Sequence, residues 1–266
     1  MTYIAYRTDE KLKIDGRLDK KIWELAPKSP RFVDIVNGEP ALYDTRSAVL
    51  WDDEYLYIGF WVEEPYVDAK ISERDGIIFQ ENDVEIFIDG GDTYYEFELN
   101  ALNTIYEVFF IWRDAYKPGG KYDVPEFNVH ERQAYSFGGN HDRVPQHFWN
   151  GTHPRGTRWA FTDWDFPGLK TAVHINGTIN DDTKVDKGWT AELAFPWSGM
   201  KWLANGRSLP PQNGDEWNLQ FARYEKLKSL NKNVGWAWDP VGSDDNHKPD
   251  KFTPIQFSEK SIQTLK

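Results

Sequence analysis

The chain has 266 residues, 16% of them aromatic (13 Trp, 13 Tyr, 16 Phe), and sets 43 acidic residues against 31 Lys and Arg for a formal net charge of −12. A chain of this length buries a sizeable core, and its ring content excludes disorder, while the charge excludes nucleic acid and anionic lipid surfaces as general partners. With no cysteine, disulfides, thiol nucleophiles and cysteine-held metals are excluded as well.

The opening MTYIAYRTDEKLKID is too polar for a signal peptide, so none is expected in this chain. No apolar run approaches the roughly 20 residues of a membrane span. KKIWELA (20–26) is the first helical pattern. SAVLW (47–51) and LYIGFWVEE (56–64) flank DDEY and predict a hairpin. DVEIFID (83–89), YYEFELN (94–100) and IYEVFFIW (105–112) follow with period-two alternation, separated by turn residues. After a long gap come LKTAVHINGTIN (169–180), GWTAELAFPW (188–197), a short helical piece at SGMKWLA (198–204), and EWNLQFARYE (216–225). Short alternating strands with one or two short helices predict an all-β fold. It is expected to be a single antiparallel β-sandwich, immunoglobulin-like or jelly-roll-like, occupying residues 1–266 as one domain.

Alternation assigns the faces. Tyr95, Phe97 and Leu99 share one side of their strand, opposite Tyr94, Glu96, Glu98 and Asn100. Val84, Ile86 and Ile88 oppose Glu85 and Phe87; Trp189, Ala191, Leu193 and Phe195 oppose Thr190 and Glu192. One sheet thus carries carboxylates beside tyrosines, either as a solvated outer face or as a polar platform for a hydroxyl-rich ligand. Glu192 and Arg223, on polar faces of late strands, are expected to pair structurally.

The order of these segments resembles the family-9-like carbohydrate-binding modules. The resemblance is carried by IDGRLDKKIWELA, WDDEYLYIGFWVEEP, NDVEIFID, YYEFELNALNTIYE, the late pair GTINDDTKVDKGWTAELAFPW and WNLQFARYE, and the closing WAWDP…FTPIQF. It spans roughly residues 12 to 258. It implies a β-sandwich that recognises an oligosaccharide or polysaccharide, is periplasmic or secreted, and takes part in polysaccharide breakdown. Some characterised members of that family hold sugar between two tryptophans and bind structural calcium; no tryptophan here is assigned to that pair.

The sequence departs from the family in the long link from Arg113 to about Gly168, an insertion at about 113–168. Within a compact domain a loop this long is usually functional or disordered, and its many aromatic residues argue for packing. Five of the six histidines (His130, His141, His147, His153, His174) fall in the 45 residues from 130 to 174. As sugar platforms, Trp112, Trp149, Trp159 and Trp164 cover the C–H face of a pyranose while Glu98, Asn100 and Arg155 bond its hydroxyls. As an enzyme, the chain is a lyase or dehydratase performing β-elimination on uronic-acid oligosaccharides. His130, His141, His147, His153, Tyr116 and Tyr122 then supply base and acid, and Arg113 or Arg143 neutralises the carboxylate. A glycoside hydrolase using two of Glu85, Glu96, Glu98 and Glu107 is a further alternative. The anionic ligand of the elimination reading matches the local basic excess of the loop, whose plainer reading is a polar loop bonding locally. No cofactor is required. The six-residue spacing of His141, His147 and His153 fits no helical ligand pair, and calcium on Asp52, Asp53, Asp181, Asp182, Asp244 or Asp245 is the metal alternative.

Overall fold

The computed structural model describes residues 2–138 and 151–265. His141, Arg143, His147 and Trp149 lie outside the described residues. In chain order the elements are β1 (Tyr3–Arg7), α1 (Lys21–Leu25), β2 (Val33–Asp34), β3 (Thr45–Trp51), β4 (Tyr55–Val62), β5 (Asp83–Asp89), β6 (Thr93–Asn100), β7 (Ile105–Trp112), β8 (Ala134–Phe137), β9 (Arg158–Phe161), β10 (Lys170–Asn176), β11 (Gly188–Pro196), β12 (Glu216–Leu227), β13 (Lys232–Ala237) and β14 (Thr253–Ser261). No helix among the described residues is long and apolar enough to cross a membrane.

The strands form two layers. One runs β10-β11-β4-β3 and the other β14-β12-β5-β6-β7-β9-β8, with β13 and β2 attached beyond β12. The alternation read from sequence decides what lies between them. Ile58, Phe60, Leu193 and Phe195 of the first layer meet Ile86, Phe97, Leu219 and Phe221 of the second in one core. Ring centroids stand 6.1 Å apart for Phe60–Phe221 and 5.5 Å for Phe97–Phe195. The expected all-β sandwich is therefore present. It is not wholly antiparallel, because β1 pairs in parallel with both β3 and β14 and so joins the layers.

The helix sits on the outer face of the first layer, where Ile22 and Trp23 bury against Leu50, Tyr57 and Ala194. Its anchor is Glu192, buried on β11. The Glu192 carboxylate accepts from the Trp23 indole (2.8 Å), Lys20 Nζ (2.6 Å) and the backbone N–H groups of Asp15 (2.9 Å) and Gly16 (3.2 Å). The IDGRLDKKIW stretch is thus a set of donors for one buried acid. Gly16 is required in it: its φ is +79°, and an added Cβ would stand 2.5 Å from the Val173 carbonyl carbon. The expected Glu192–Arg223 pair does not form. Arg223 is buried elsewhere, bonded to Glu225 (2.7 Å), Thr45 and the Glu63 carbonyl, because the two strands belong to different layers.

The 113–168 segment contributes structure to both sides of the second layer. Its β9 pairs with β7 and β8 pairs with β9, widening the sheet. Tyr122, Phe127, Phe161, Trp164 and Phe166 join the inter-layer core, while Phe137 and Ala160 face the opposite side. The described part of the insertion extends the carboxylate-bearing sheet at its edge.

Candidate functional site

On the outer face of the second layer lies a cleft of about 480 Å³. Strand register builds its floor: β5 and β6 place Glu85 opposite Glu98 and Phe87 opposite Glu96, and β7 adds Tyr106 and Val108 in the same rows. These are the residues that alternation set apart from the apolar core, yet Glu85, Glu96 and Glu98 are buried. They form the floor of a cleft and not a solvated face, because two other segments rise beside them.

One wall comes from the insertion, through Tyr135, Phe137, Ala160 and Thr162. The other comes from the turn between β13 and β14. Asn246 Nδ2 donates to Glu85 Oε2 at 2.7 Å and its Oδ1 accepts from Gln220 at 3.2 Å, which clamps that turn to the sheet. The His247 ring lies 4.4 Å from Phe137 and 5.2 Å from Phe87 and Phe110. The Tyr94 hydroxyl is 3.1 Å from its Nδ1 and Glu96 3.4 Å from its Nε2. Behind it Arg158 is buried, donating to the His247 carbonyl at 2.7 Å and to the Gly151 carbonyl, with its guanidinium 4.4 Å from the Trp112 ring centre. Among the lining residues, Phe79 (45% exposed) and Tyr135 (58% exposed) are the large rings most open to solvent, and Phe79 meets Tyr106 edge-on at 5.6 Å.

The electrostatics follow from burial. Desolvation pushes the Glu85 carboxyl up to about 8, against the hydrogen bond from Asn246. Desolvation, then the neighbouring carboxylates, also raises Asp83, Glu96 and Glu98 well above the usual range. Burial lowers His247 to about 3, so its imidazole is neutral at physiological pH. Among the described residues no Lys or Arg lines the cleft. The chemistry on offer is hydrogen bonding by carboxyls, amide and imidazole, flanked by ring faces.

The residues singled out from sequence scatter around this cleft. Glu98 lies in its floor. Trp112 lies under the Arg158 guanidinium and 4.8 Å from the His153 ring. Trp164 packs in the core, 4.7 Å from Phe109. Arg113 covers the half-buried Trp159 at 3.4 Å. Asn100 is a buried turn anchor, donating to the Ile71 carbonyl and Glu81 and accepting from the Leu102 and Thr104 N–H groups. Arg155 is held by Asp92 and Asp114. The His153 imidazole is 3.0 Å from Asp250, His130 is exposed, and His174 meets Arg17. Tyr122 is buried in the core, and the Tyr116 hydroxyl donates to the Phe127 carbonyl at 2.9 Å. Glu107 faces the core, accepting from Tyr95 (2.6 Å) and the Phe166 N–H (2.8 Å) and pairing with Arg74. It stands on the opposite side of the sheet from Glu85, Glu96 and Glu98, so no two-carboxylate arrangement includes it.

Sequence reasoning missed His247, the one histidine outside the cluster, along with Asn246, Phe79, Tyr106 and Tyr224. The signal for the first two was the SDDNH run at 243–247, noted only as loop carboxylates. The other loop acids are already engaged: Asp52 caps its own turn and Tyr57, Asp53 pairs with Arg7, Asp181 binds Thr183, and Asp182 binds Lys228.

The chain is thus a β-sandwich with an open cleft, flanked by aromatic rings, on the outer face of one layer. The sequence profile of the carbohydrate family 9 binding domain-like family matches residues 14–120. The same fold is found in a family 9 carbohydrate-binding module from Caldicellulosiruptor kristjanssonii solved with glucose. It shares 14% identity and a TM-score of 0.56, with 97% of each chain covered. That module solved with cellotriose gives 15% identity and a TM-score of 0.56, covering 99% of this chain and 97% of that one. A candidate carbohydrate-binding protein from Bacteroides uniformis gives 15% identity and a TM-score of 0.59, covering 96% of this chain and 98% of that one. Comparison with curated protein sequences finds no match. The family-9-like resemblance read from the sequence is thus borne out: residues 14–120 carry the family's sequence signature, and the whole chain takes the fold of its solved members.

Proposed function

We propose that this protein recognises a saccharide in the cleft floored by Glu85, Glu96 and Glu98, in the service of polysaccharide or oligosaccharide breakdown. One observation carries the reading: buried carboxyl groups lie in the floor of a cleft that is also lined by the solvent-exposed rings of Phe79 and Tyr135. Carboxyl and amide groups bond sugar hydroxyls, and rings cover the C–H face of a pyranose. The volume falls in the roughly 300–1,000 Å³ range of small-molecule sites. An acidic floor with no described cation favours a neutral sugar, and the glucose and cellotriose held by the structural relatives make neutral glucans the first ligands to try. Isothermal titration of the whole chain with glucose, cello-oligosaccharides and other neutral oligosaccharides tests this. Binding that weakens in Tyr135→Ala and Glu98→Gln supports it; binding indifferent to both, or no binding to any sugar, refutes it.

A further inference from the structure

We infer that the protein has a second binding site, on the opposite side of the second layer from the cleft, for a small ligand bearing a protonated amine, held by Glu225 with the rings of Tyr43 and Tyr66. Strand alternation separates the two sites. On β12 Tyr224 lines the cleft, and its neighbour Glu225 points the other way, to the side on which Leu219, Phe221 and Leu227 pack in the inter-layer core. At that end of the core Glu225 lines a pocket of about 240 Å³ together with Tyr43, Tyr66 and Asn82. The volume lies below the roughly 300–1,000 Å³ of sites for drug-sized ligands, so the pocket admits about one sugar ring.

Charge and hydrogen bonding select the ligand. Two buried carboxylates, Glu64 and Glu225, share one buried cation, Arg223, at 3.7 and 2.7 Å. Glu64 is fully engaged, since the Trp189 indole, the Asn82 amide and the Asp68 N–H all donate to it. Glu225 is not. It is 5% exposed; Arg223 donates to its Oε2, and its Oε1 has no donor among the described residues. The pair therefore carries one uncompensated negative charge, and the open oxygen of Glu225 presents it to the pocket. A buried acid so placed takes up a proton or a cation. Burial raises the Glu225 carboxyl to about 7, in the direction of the proton, and an ammonium ion takes the same place. The lysines of the lining do not fill it. Lys228 is held by Asp182 (3.0 Å) and Asp68 (3.4 Å), and Lys226 is exposed, with its backbone N–H bonded to Asn82. Tyr43 and Tyr66 suit the same ligand, because a ring face attracts an ammonium within about 6 Å of its centre. Tyr66 is 43% exposed, and the Tyr43 hydroxyl is pushed up by burial and then by the Glu225 charge. A neutral ligand would leave the excess charge in place and an anion would add to it. Among sources of a primary ammonium, an amino sugar is the one that matches the carbohydrate-binding family of this chain.

This site does not rest on the cleft, and the test keeps the two apart. The whole chain is titrated by calorimetry at pH 7 with glucosamine, N-acetylglucosamine, glucose and butylamine, in wild type, Glu225→Gln and Tyr66→Ala. Every titration is repeated on a Tyr135→Ala background, where heat arising in the cleft falls away. Glucosamine is expected to bind the wild type and to lose about tenfold in Glu225→Gln, the scale of one charge-assisted hydrogen bond. In Tyr66→Ala the loss should be about threefold, the scale of an exposed cation–π contact. The loss in Glu225→Gln should be confined to the amines; an equal loss for N-acetylglucosamine, the same ring with a neutral amide, overturns the inference. Butylamine decides the source: weaker binding than glucosamine supports an amino sugar, and equal or tighter binding overturns that choice. Glu225→Gln weakens the only acid that Arg223 hydrogen-bonds. Should it fail to fold, Tyr66→Ala, at an exposed position, carries the test. No glucosamine binding at millimolar concentrations, or binding unchanged in both variants, overturns the inference. A chain that binds glucosamine in this way but no neutral sugar refutes the proposed function and leaves this site standing; the reverse result overturns this site alone.

Discussion

Replacing Glu192 by Ala should be among the most destabilising single changes outside the cleft. The side chain is fully buried and holds four separate donors: the Trp23 indole, the Lys20 ammonium, and the Asp15 and Gly16 N–H groups. Removing one member of a buried charge pair costs about 3–5 kcal/mol, because the partners stay behind unpaired. Lys20 keeps Asp15 (2.6 Å) and the Arg17 carbonyl (2.9 Å) and is partly exposed, so its loss is moderated. The buried indole N–H and the Gly16 N–H lose their only acceptor, at about 1–3 kcal/mol each. The total is about 4 kcal/mol, which for a chain of this size lowers Tm by roughly 8–16 °C. Glu192→Gln keeps an acceptor for the indole and should lose about half as much. Urea unfolding followed by far-ultraviolet circular dichroism, with thermal melting alongside, measures both. A Glu192→Ala loss under about 1 kcal/mol would refute the assignment of this carboxylate as the anchor of α1.

Further outcomes are expected. Gly16→Ala forces a Cβ against the Val173 backbone at a φ of +79° and should destabilise by about 2–4 kcal/mol, read in the same melts. Tyr135→Ala removes a ring that is 58% exposed, so stability should change by less than about 0.5 kcal/mol while saccharide affinity in calorimetry drops about tenfold. The His247 imidazole titrates near 3 in the folded chain against about 6.5 unfolded. The unfolded chain therefore takes up its proton first as pH falls, and stability is lost from about pH 6.5 downward, by up to about 5 kcal/mol near pH 3 (3.5 × ~1.4). His247→Phe should flatten that part of the stability profile relative to wild type, and parallel profiles for the two would contradict it.

The sequence by itself determined which residues face inward, because neighbouring side chains on a strand point to opposite sides whatever the strand is paired with. Tyr95, Phe97 and Leu99 landed in the core and Glu96 and Glu98 on the opposite face for that reason alone. The IDGRLDKKIWELA stretch was legible as part of the family resemblance, but the acceptor of its donors, Glu192, lies some 170 residues away and could not be seen. Local pattern likewise could not say whether the Glu85–Glu98 face was wet. That was decided by β8 and β9 widening the sheet and by Asn246 clamping a distant turn across Glu85. The histidine count misled for the same reason: His153 and His174 meet separate partners and His130 is exposed, whereas the isolated His247 is carried to the cleft by the turn between β13 and β14. Periodicity is a property of the chain within a few residues. A cleft is made by register and by contacts between segments far apart, and only the folded molecule supplies those.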